Sequence, residues 1–253
     1  MTYFPFFSII IPTYNSFITL QRALISLQNQ TFQNFEIIIV DDGSSDNTDQ
    51  NIQSYLDEKT HYYYKTNGGS ASARNVAIEH SKGKYLCFLD ADDEFMPDKL
   101  EQYYSFCQKN HLFLFSDAVY IDDNKKVEYL FSTQTQWYEG LSFPYLMKNN
   151  FIVTSTVCIQ RALLSQKPYF NESCFIEDYD LWLKIAQNVP ITYIPMPLTR
   201  YHIHNSNQSN NTLKTLKALI KLYFQWSLVS LSAFKQMCKY TLVFLMYTTG
   251  VRK

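Results

Sequence analysis

The chain has 253 residues, of which 46% are hydrophobic, and a formal net charge of −1. This length suits one large domain, or one domain with an extension, and the near-neutral charge gives no indication of nucleic-acid binding. The five cysteines form no CxxC pair, and no apolar run reaches the roughly 18 residues of a membrane-spanning helix. We therefore expect a cytoplasmic protein with reduced thiols, in which the opening residues MTYFPFFSIIIP form a strand and not a signal peptide.

The first third of the chain alternates strand and helix patterns. Short apolar runs predict buried strands at FSIIIPTYN (7–15), FEIIIV (35–40), HYYYKT (61–66) and KYLCFL (84–89). Helical patterns lie between them, at 18–30, 47–56 and 70–81. Continuous apolar strands that alternate with helices predict an α/β fold with a mostly parallel, Rossmann-like sheet and helices on both faces.

The middle of the chain has a less regular pattern. LFLFSDAVYI (112–121) and KKVEYLFS (125–132) predict strands joined by a turn at DDNK, and NFIVTSTVCIQRALL (150–164) predicts a strand that leads into a helix. A helix is expected to begin at FIEDYD (175–180), where acidic residues favour a helix N-terminus, and PITYIPMPLTRYHIH (190–204) predicts a strand and its exit. Trp137 and Tyr138 lie in this region and receive no role.

The last part of the chain is cationic, because Asp180 is the last acidic residue. Apolar residues and lysines alternate at helical spacing in TLKTLKALIKLYFQW (212–226) and AFKQMCKYTLVFLMY (233–247). Basic amphipathic helices of this kind bind anionic membrane surfaces. The alternatives are that they pack on the rest of the protein or join two copies into a homo-oligomer.

Polar motifs follow three of the predicted strands: PTYN, DDGSSD and DADD. The carboxyl ends of parallel strands line the ligand crevice of such sheets. Asp46 and Asp98 are expected to be helix caps. Capping does not explain Asp90, Asp92 and Asp93 together, and a divalent cation would relieve the repulsion between their carboxylates. DDGSSDNTDQ does not match a calcium loop, and GGSASARN matches neither a phosphate loop nor a dinucleotide motif.

These motifs carry a family resemblance. IPTYN, IIIVDDGSSDNT, NGGSASARNVAIEHSKGKYLCFLDADD, EDYDLWLKI and RYHIHNSNQS occur in an order and at spacings that resemble family 2 glycosyltransferases of the GT-A fold. The resemblance implies inverting transfer of a sugar from a nucleotide-sugar, with bound Mn²⁺ or Mg²⁺. It also implies a catalytic domain at 1–210, with a nucleotide-binding half (1–95) and an acceptor-binding half (96–210), followed by a helical extension at 211–253.

The resemblance also implies roles for single residues. The nucleotide base would lie near Pro12, Thr13, Tyr14 and Asp42, and Asp42 would accept a hydrogen bond from uracil. Asp90 would face the ribose, and Arg74 would approach the nucleotide or diphosphate.

The remaining implied roles concern the reaction itself. Asp92 would bind the metal, together with His204, and Asp178 would be the general base. The alternative for Asp178 is a purely structural role at a helix start. His202 stands where the family often has arginine, which leaves the diphosphate contact of this loop open.

The implied function is a hexosyltransferase of bacterial surface-glycan synthesis, such as lipopolysaccharide or capsule. Its donor would be a UDP-hexose or UDP-N-acetylhexosamine, its acceptor a glycan or glycolipid, and its location the inner face of the plasma membrane. The alternatives are a sugar nucleotidyltransferase, which would need a glycine-rich loop with basic residues in the first strand–helix turn, and a non-catalytic module that binds nucleotide-sugar or membrane.

Overall fold

The computed structural model describes residues 4–122, 127–131, 142–204, 211–228 and 230–248. Strands and helices alternate in its first third, as the apolar runs predict. The elements are β1 (Phe7–Thr13), α1 (Phe17–Gln28), β2 (Phe35–Asp41), α2 (Thr48–Asn51), β3 (Thr60–Tyr64), α3 (Ser70–His80) and β4 (Tyr85–Phe88). β1, β2 and β4 are almost wholly buried, which explains their continuous apolar sequences.

The remaining elements complete the sheet and add two long helices at the end. They are β5 (Glu94–Phe95), α4 (Lys99–Cys107), β6 (Phe113–Asp122), β7 (Val127–Leu130), α5 (Ser142–Leu146), β8 (Val157–Gln160), α6 (Glu177–Ala186), β9 (Ile191–Ile203), α7 (Thr212–Ser227) and α8 (Leu231–Thr248). Trp137 and Tyr138 lie outside the described residues, as does most of the DDNK turn.

The sheet runs in the order β3-β2-β1-β4-β8-β6-β9-β5, and β7 pairs with β6. β1 to β4 pair in parallel, as does β6 with β9 over ten residues, whereas β8, β5 and β7 pair antiparallel with their neighbours. Side chains alternate between two hydrophobic cores: Ile10 and Ile38 face α3 and α6, while Ile9 and Ile37 face α1 and α4. Helices therefore cover both faces, which confirms the predicted mostly parallel α/β sheet; the antiparallel strands make it a mixed sheet.

Two predicted helices are wrong in extent. The 47–56 segment forms one α-turn and a 3₁₀ turn at Ile52–Tyr55, and a core contact from Ile52 is too little to hold a longer helix. The helix expected at the end of 150–164 is a 3₁₀ turn at Arg161–Leu163. Arg161 donates hydrogen bonds to the carbonyls of Ser81 and Ile78, and these contacts fix the start of the segment. Pro168 disfavours helical backbone at the residue before it, so few residues remain for an α-helix.

α7 and α8 form the predicted helical extension. Leu222, Tyr223 and Trp226 of α7 are buried in the core, and the hydroxyls of Tyr223 and Tyr179 on α6 lie 2.8 Å apart. Large apolar side chains are exposed just after α7 and at the start of α8, among them Leu228 (90% exposed) and Leu231 (70%). None of the described helices has the length and hydropathy needed to cross a bilayer.

Candidate active site

The polar motifs meet at the carboxyl ends of β1, β2 and β4. The backbone amide of Asp42 donates to the carbonyl of Thr13 (2.8 Å), which holds the ends of β1 and β2 together. Thr13 is buried, and its hydroxyl has no hydrogen-bond partner within the described part of the chain. Tyr14 is 51% exposed and Pro12 is half-buried. This corner thus offers an open aromatic ring where the sequence predicts a nucleotide base.

Asp42 organises the loop that leads into α3. Its carboxylate accepts hydrogen bonds from the backbone amides of Gly68 (2.9 Å) and Gly69 (2.7 Å) and from the Lys65 ammonium (2.6 Å). Gly69 has a φ of +91°, in the region that favours glycine. Because α3 carries Arg74, Asp42 fixes the approach of Arg74 to the site. Its predicted contact with uracil stays a prediction.

Arg74 joins two acidic motifs that are far apart in sequence. Its guanidinium donates to Asp90 (2.6 Å) and to Glu177 (2.8 Å), and Glu177 also accepts from the hydroxyl of Ser70 (2.6 Å). Burial lowers the pKa of Arg74, but the two carboxylates outweigh burial and raise it above its ordinary value, so the charge is retained. The sequence pattern around Glu177 gives no sign of this bridging role. Contact between Arg74 and a diphosphate stays a prediction.

Asp178 lies at the N-terminus of α6, next to Glu177. Its carboxylate accepts hydrogen bonds from the hydroxyl of Thr154 (2.9 Å) and from the backbone amide of Tyr179 (2.7 Å). Burial, and then the charge of Glu177, raise the pKa of Asp178 to about 6, although Arg74 opposes the shift. A carboxylate with this pKa is ionised at neutral pH and basic enough to accept a proton.

Asp92 and His204, the metal ligands that the family resemblance implies, lie in direct contact, and their metal-binding role stays a prediction. Oδ2 of Asp92 lies 2.7 Å from Nε2 of His204, and both side chains are about 30% exposed. Burial and the charge of Asp90 raise the pKa of Asp92, an effect that a divalent cation would relieve. Among the described residues, no three His, Cys, Asp or Glu side chains form a metal-binding group. The pair fits a partial metal site, which phosphate oxygens and water would complete, and its carboxylate suits Mn²⁺ or Mg²⁺.

Asp93, the third acid of the cluster, has a different environment. It is fully buried, and its carboxylate accepts hydrogen bonds from the hydroxyl of Ser155 and the backbone amide of His202 (3.0 Å). Burial raises its pKa well above the ordinary value. The imidazole of His202 contacts Glu94 (2.9 Å). In this arrangement Asp93 anchors β9, and His202 pairs with an acid inside the protein.

Lys99 is linked through Ser155 to the loop that carries Asp90, Asp92 and Asp93, and the sequence pattern gives no sign of this role. Its ammonium is fully buried, donates to the carbonyl of Ser155 and the hydroxyl of Thr199 (both 2.6 Å), and lies 3.8 Å from the ring centroid of Phe95. Burial lowers its pKa to about 7. Ser155 also accepts a hydrogen bond from the amide of Asp90 (3.0 Å), so Lys99 supports the acidic loop from beneath.

Solved structures with this fold include two nucleotide-sugar complexes. One is Staphylococcus aureus TarS 1–349 with UDP-GlcNAc, with a TM-score of 0.69 and 20% identity over 95% of this chain and 80% of the other. The other is the mannosyltransferase PcManGT from Pyrobaculum calidifontis with GDP-Man and Mn²⁺, with a TM-score of 0.71 and 17% identity over 95% and 70%. The fold of the present chain is therefore of the GT-A type.

The sequence comparisons identify the family within that fold. The model of glycosyl transferase family 2 matches residues 8–170, and the chain belongs to this family. It is 33% identical, over 83% of its length and 82% of the relative's, to the Escherichia coli UDP-Glc:alpha-D-GlcNAc-diphosphoundecaprenol beta-1,3-glucosyltransferase WfgD. It is 35% identical to a Rickettsia felis glycosyltransferase over 78% of its length, but it spans only 33% of that longer relative.

Proposed function

We propose that this chain is a metal-dependent, inverting glycosyltransferase. It moves a hexose or N-acetylhexosamine from a UDP-sugar to a lipid-linked acceptor in the synthesis of a bacterial surface glycan, such as lipopolysaccharide or capsule. The E. coli relative supports this acceptor class, since its name specifies a sugar diphosphoundecaprenol, and the UDP-GlcNAc complex of TarS supports the donor class. Residues 1–95 would bind the nucleotide, 96–210 the acceptor, and 211–253 would form the extension.

The observation that carries the proposal is the Arg74 bridge. Its contacts of 2.6 Å to Asp90 and 2.8 Å to Glu177 bring the DADD motif beside the N-terminus of α6. The proposed metal ligand Asp92 follows Asp90 by two residues and the proposed base Asp178 follows Glu177 by one, so the bridge would hold the two near each other. A sugar transferase needs these two functions close together, one at the leaving diphosphate and one at the attacking hydroxyl.

Donor recognition would use the ends of β1 and β2. The exposed ring of Tyr14 is available to stack on the base, and Pro12 and the buried Thr13 would form the wall beside it. Asp42 would accept a hydrogen bond from uracil while it keeps the loop before α3 in place. Asp92 and His204 would hold the divalent cation, which supplies charge stabilisation to the departing diphosphate.

In the proposed reaction Asp178 removes the proton from the acceptor hydroxyl as it attacks the anomeric carbon. The Thr154 hydroxyl, which donates to Oδ2, orients the carboxylate. The sugar–phosphate bond breaks, the nucleoside diphosphate leaves, and attack from the opposite face inverts the anomeric centre. A positioned general base of this kind contributes about 10²–10⁴-fold to the rate.

The same proposal places the enzyme at the inner face of the plasma membrane. The exposed apolar residues of α7 and α8 and the lysines beside them suit the interface of an anionic bilayer. Attachment there would keep the enzyme beside a lipid-linked acceptor.

A thermal-stability screen tests the donor class. UDP-, GDP- and dTDP-sugars are added to the full chain with and without Mn²⁺, because a ligand that binds only the native state raises Tm. We expect UDP-sugars to stabilise the protein most, and Mn²⁺ to increase the effect. No shift with any nucleotide-sugar would contradict the proposal. Stabilisation by nucleoside triphosphates with release of pyrophosphate would indicate a nucleotidyltransferase instead.

A further inference from the structure

A cavity of about 240 Å³ lies between α7 and the segment that leads into α6. One part of its wall is apolar and the other part is basic. The apolar side chains that line it include Phe175, Ala218 and Leu222, and the basic ones are Lys214, Lys217 and Lys221. The cavity thus combines a hydrocarbon surface with a cluster of cations.

The three lysines all line the cavity, and their spacing places them on one side of α7. The Lys217 ammonium also lies 5.9 Å from the ring centroid of Phe244 on α8. Within the described part of the chain, none of them forms an ion pair. The acids near the cavity segment in sequence have other partners: Glu177 pairs with Arg74 (2.8 Å), Asp180 pairs with Lys184 (2.6 Å), and Glu172 accepts a hydrogen bond from the Asn75 amide (2.9 Å). Of these three carboxylates, only that of Glu172 has no cationic partner among the residues that the structure describes, and the three lysines outnumber it. The positive charge at the cavity is therefore available to an anionic ligand.

The cavity lies close to the proposed base. The ring centroid of Phe175, a lining residue, is 5.9 Å from the Lys214 ammonium. Phe175 precedes Asp178 by three residues, and three residues of chain span at most about 10 Å. In an acceptor of the proposed class, the attacked hydroxyl and the diphosphate lie on different sides of one sugar ring. A subsite for the diphosphate is therefore needed at about this separation from the base.

We propose that this cavity binds the diphosphate and the adjoining hydrocarbon of the lipid-linked acceptor. The inference rests on the proposed function and assigns that acceptor a place. The lysines bind the diphosphate, as a cluster of charge-assisted donors does, and the apolar wall covers the first part of the lipid. The cavity selects a lipid diphosphate over a free glycan.

The test measures binding of farnesyl diphosphate, a short lipid diphosphate, to the full chain by calorimetry. In the cavity variant, Lys217→Gln with Lys221→Gln, we expect affinity to fall by about tenfold or more. The matched control, Lys235→Gln with Lys239→Gln, removes two lysines at the same spacing from α8 and should bind as wild type does. Ala218→Phe fills the cavity without changing charge and should also weaken binding.

Any of three outcomes overturns the inference. The first is an equal loss of affinity in the cavity and control variants, which would mean that general surface charge binds the ligand. The second is unchanged binding in Ala218→Phe, and the third is binding of inorganic pyrophosphate as tight as that of farnesyl diphosphate. UDP release from a UDP-sugar, measured in the same variants, should be unchanged. A protein that binds farnesyl diphosphate through the cavity but never releases UDP would refute the proposed function and leave the lipid diphosphate site intact. The reverse result would refute only the site.

Discussion

Replacing Arg74 with glutamine should destabilise the fold by about 3–5 kcal/mol, because it breaks buried ion pairs and leaves carboxylates uncompensated. The structure indicates which partner loses more. The side chain of Glu177 is 9% exposed and lies 2.8 Å from the guanidinium, whereas that of Asp90 is 30% exposed. In the variant, water can therefore solvate Asp90 in place of the guanidinium, but it cannot do so for Glu177. Most of the cost should therefore come from Glu177.

Urea unfolding of the full chain measures this cost. The control is Lys167→Gln, which breaks an exposed pair with Glu79 (60% and 46% exposed) and should cost less than about 1 kcal/mol. Adding Glu177→Gln to Arg74→Gln should recover part of the loss, because the uncompensated carboxylate is removed. If Arg74→Gln costs no more than the control, the bridge does not hold the two acidic motifs together.

Three further predictions concern other parts of the molecule. Asp92→Ala should abolish the increase in UDP affinity that Mn²⁺ causes, whereas Asp42→Ala should weaken UDP binding with and without the metal. Calorimetry with and without Mn²⁺ distinguishes the two effects, and wild-type UDP binding in either variant would refute the role assigned to that residue. Burial lowers the pKa of Lys99 to about 7, against 10.5 for an ordinary lysine. Between these pH values the folded state binds fewer protons than the unfolded state, so the free energy of unfolding should rise with pH from about 7 to about 10.5. Urea titrations across that range should show the rise in wild type and a flatter profile in Lys99→Met, and identical profiles would contradict the assignment. Leu242→Asp with Leu245→Asp, both on the exposed side of α8, should reduce co-sedimentation with anionic vesicles at low salt and spare UDP release; undiminished binding would show that this face does not contact the membrane.

The sequence predicts best what depends on local pattern. β1, β2 and β4 lie where their apolar runs predict, because strands buried on both faces require apolar residues at every position. The meeting of the strand-end motifs follows from parallel pairing alone. The family resemblance implies a metal-binding role for Asp92 and His204, and only the structure shows that the two side chains touch.

Long-range contacts are what the sequence does not reveal. The Arg74 bridge joins residues 103 positions apart, and Glu177 resembles an ordinary helix-start acid until the fold brings α3 beside α6. Lys99 has the sequence of an exposed first-turn lysine, yet Ser155 and Thr199 give it partners in the core. The pattern of 150–164 favours a helix locally, but the tertiary contacts of Arg161 replace it with a turn.

UDP release from UDP-sugars, followed against pH in wild type and in Asp178→Asn, tests the central claim most directly. We expect release that depends on Mn²⁺ and declines as the pH falls through about 6, because Asp178 must be ionised to accept the proton. Asp178→Asn, nearly the same in shape, should lower kcat by about 10²-fold or more and keep UDP affinity. Asp178→Asn that retains wild-type turnover with the same pH profile would contradict the account, as would wild-type protein that releases no UDP from any UDP-sugar.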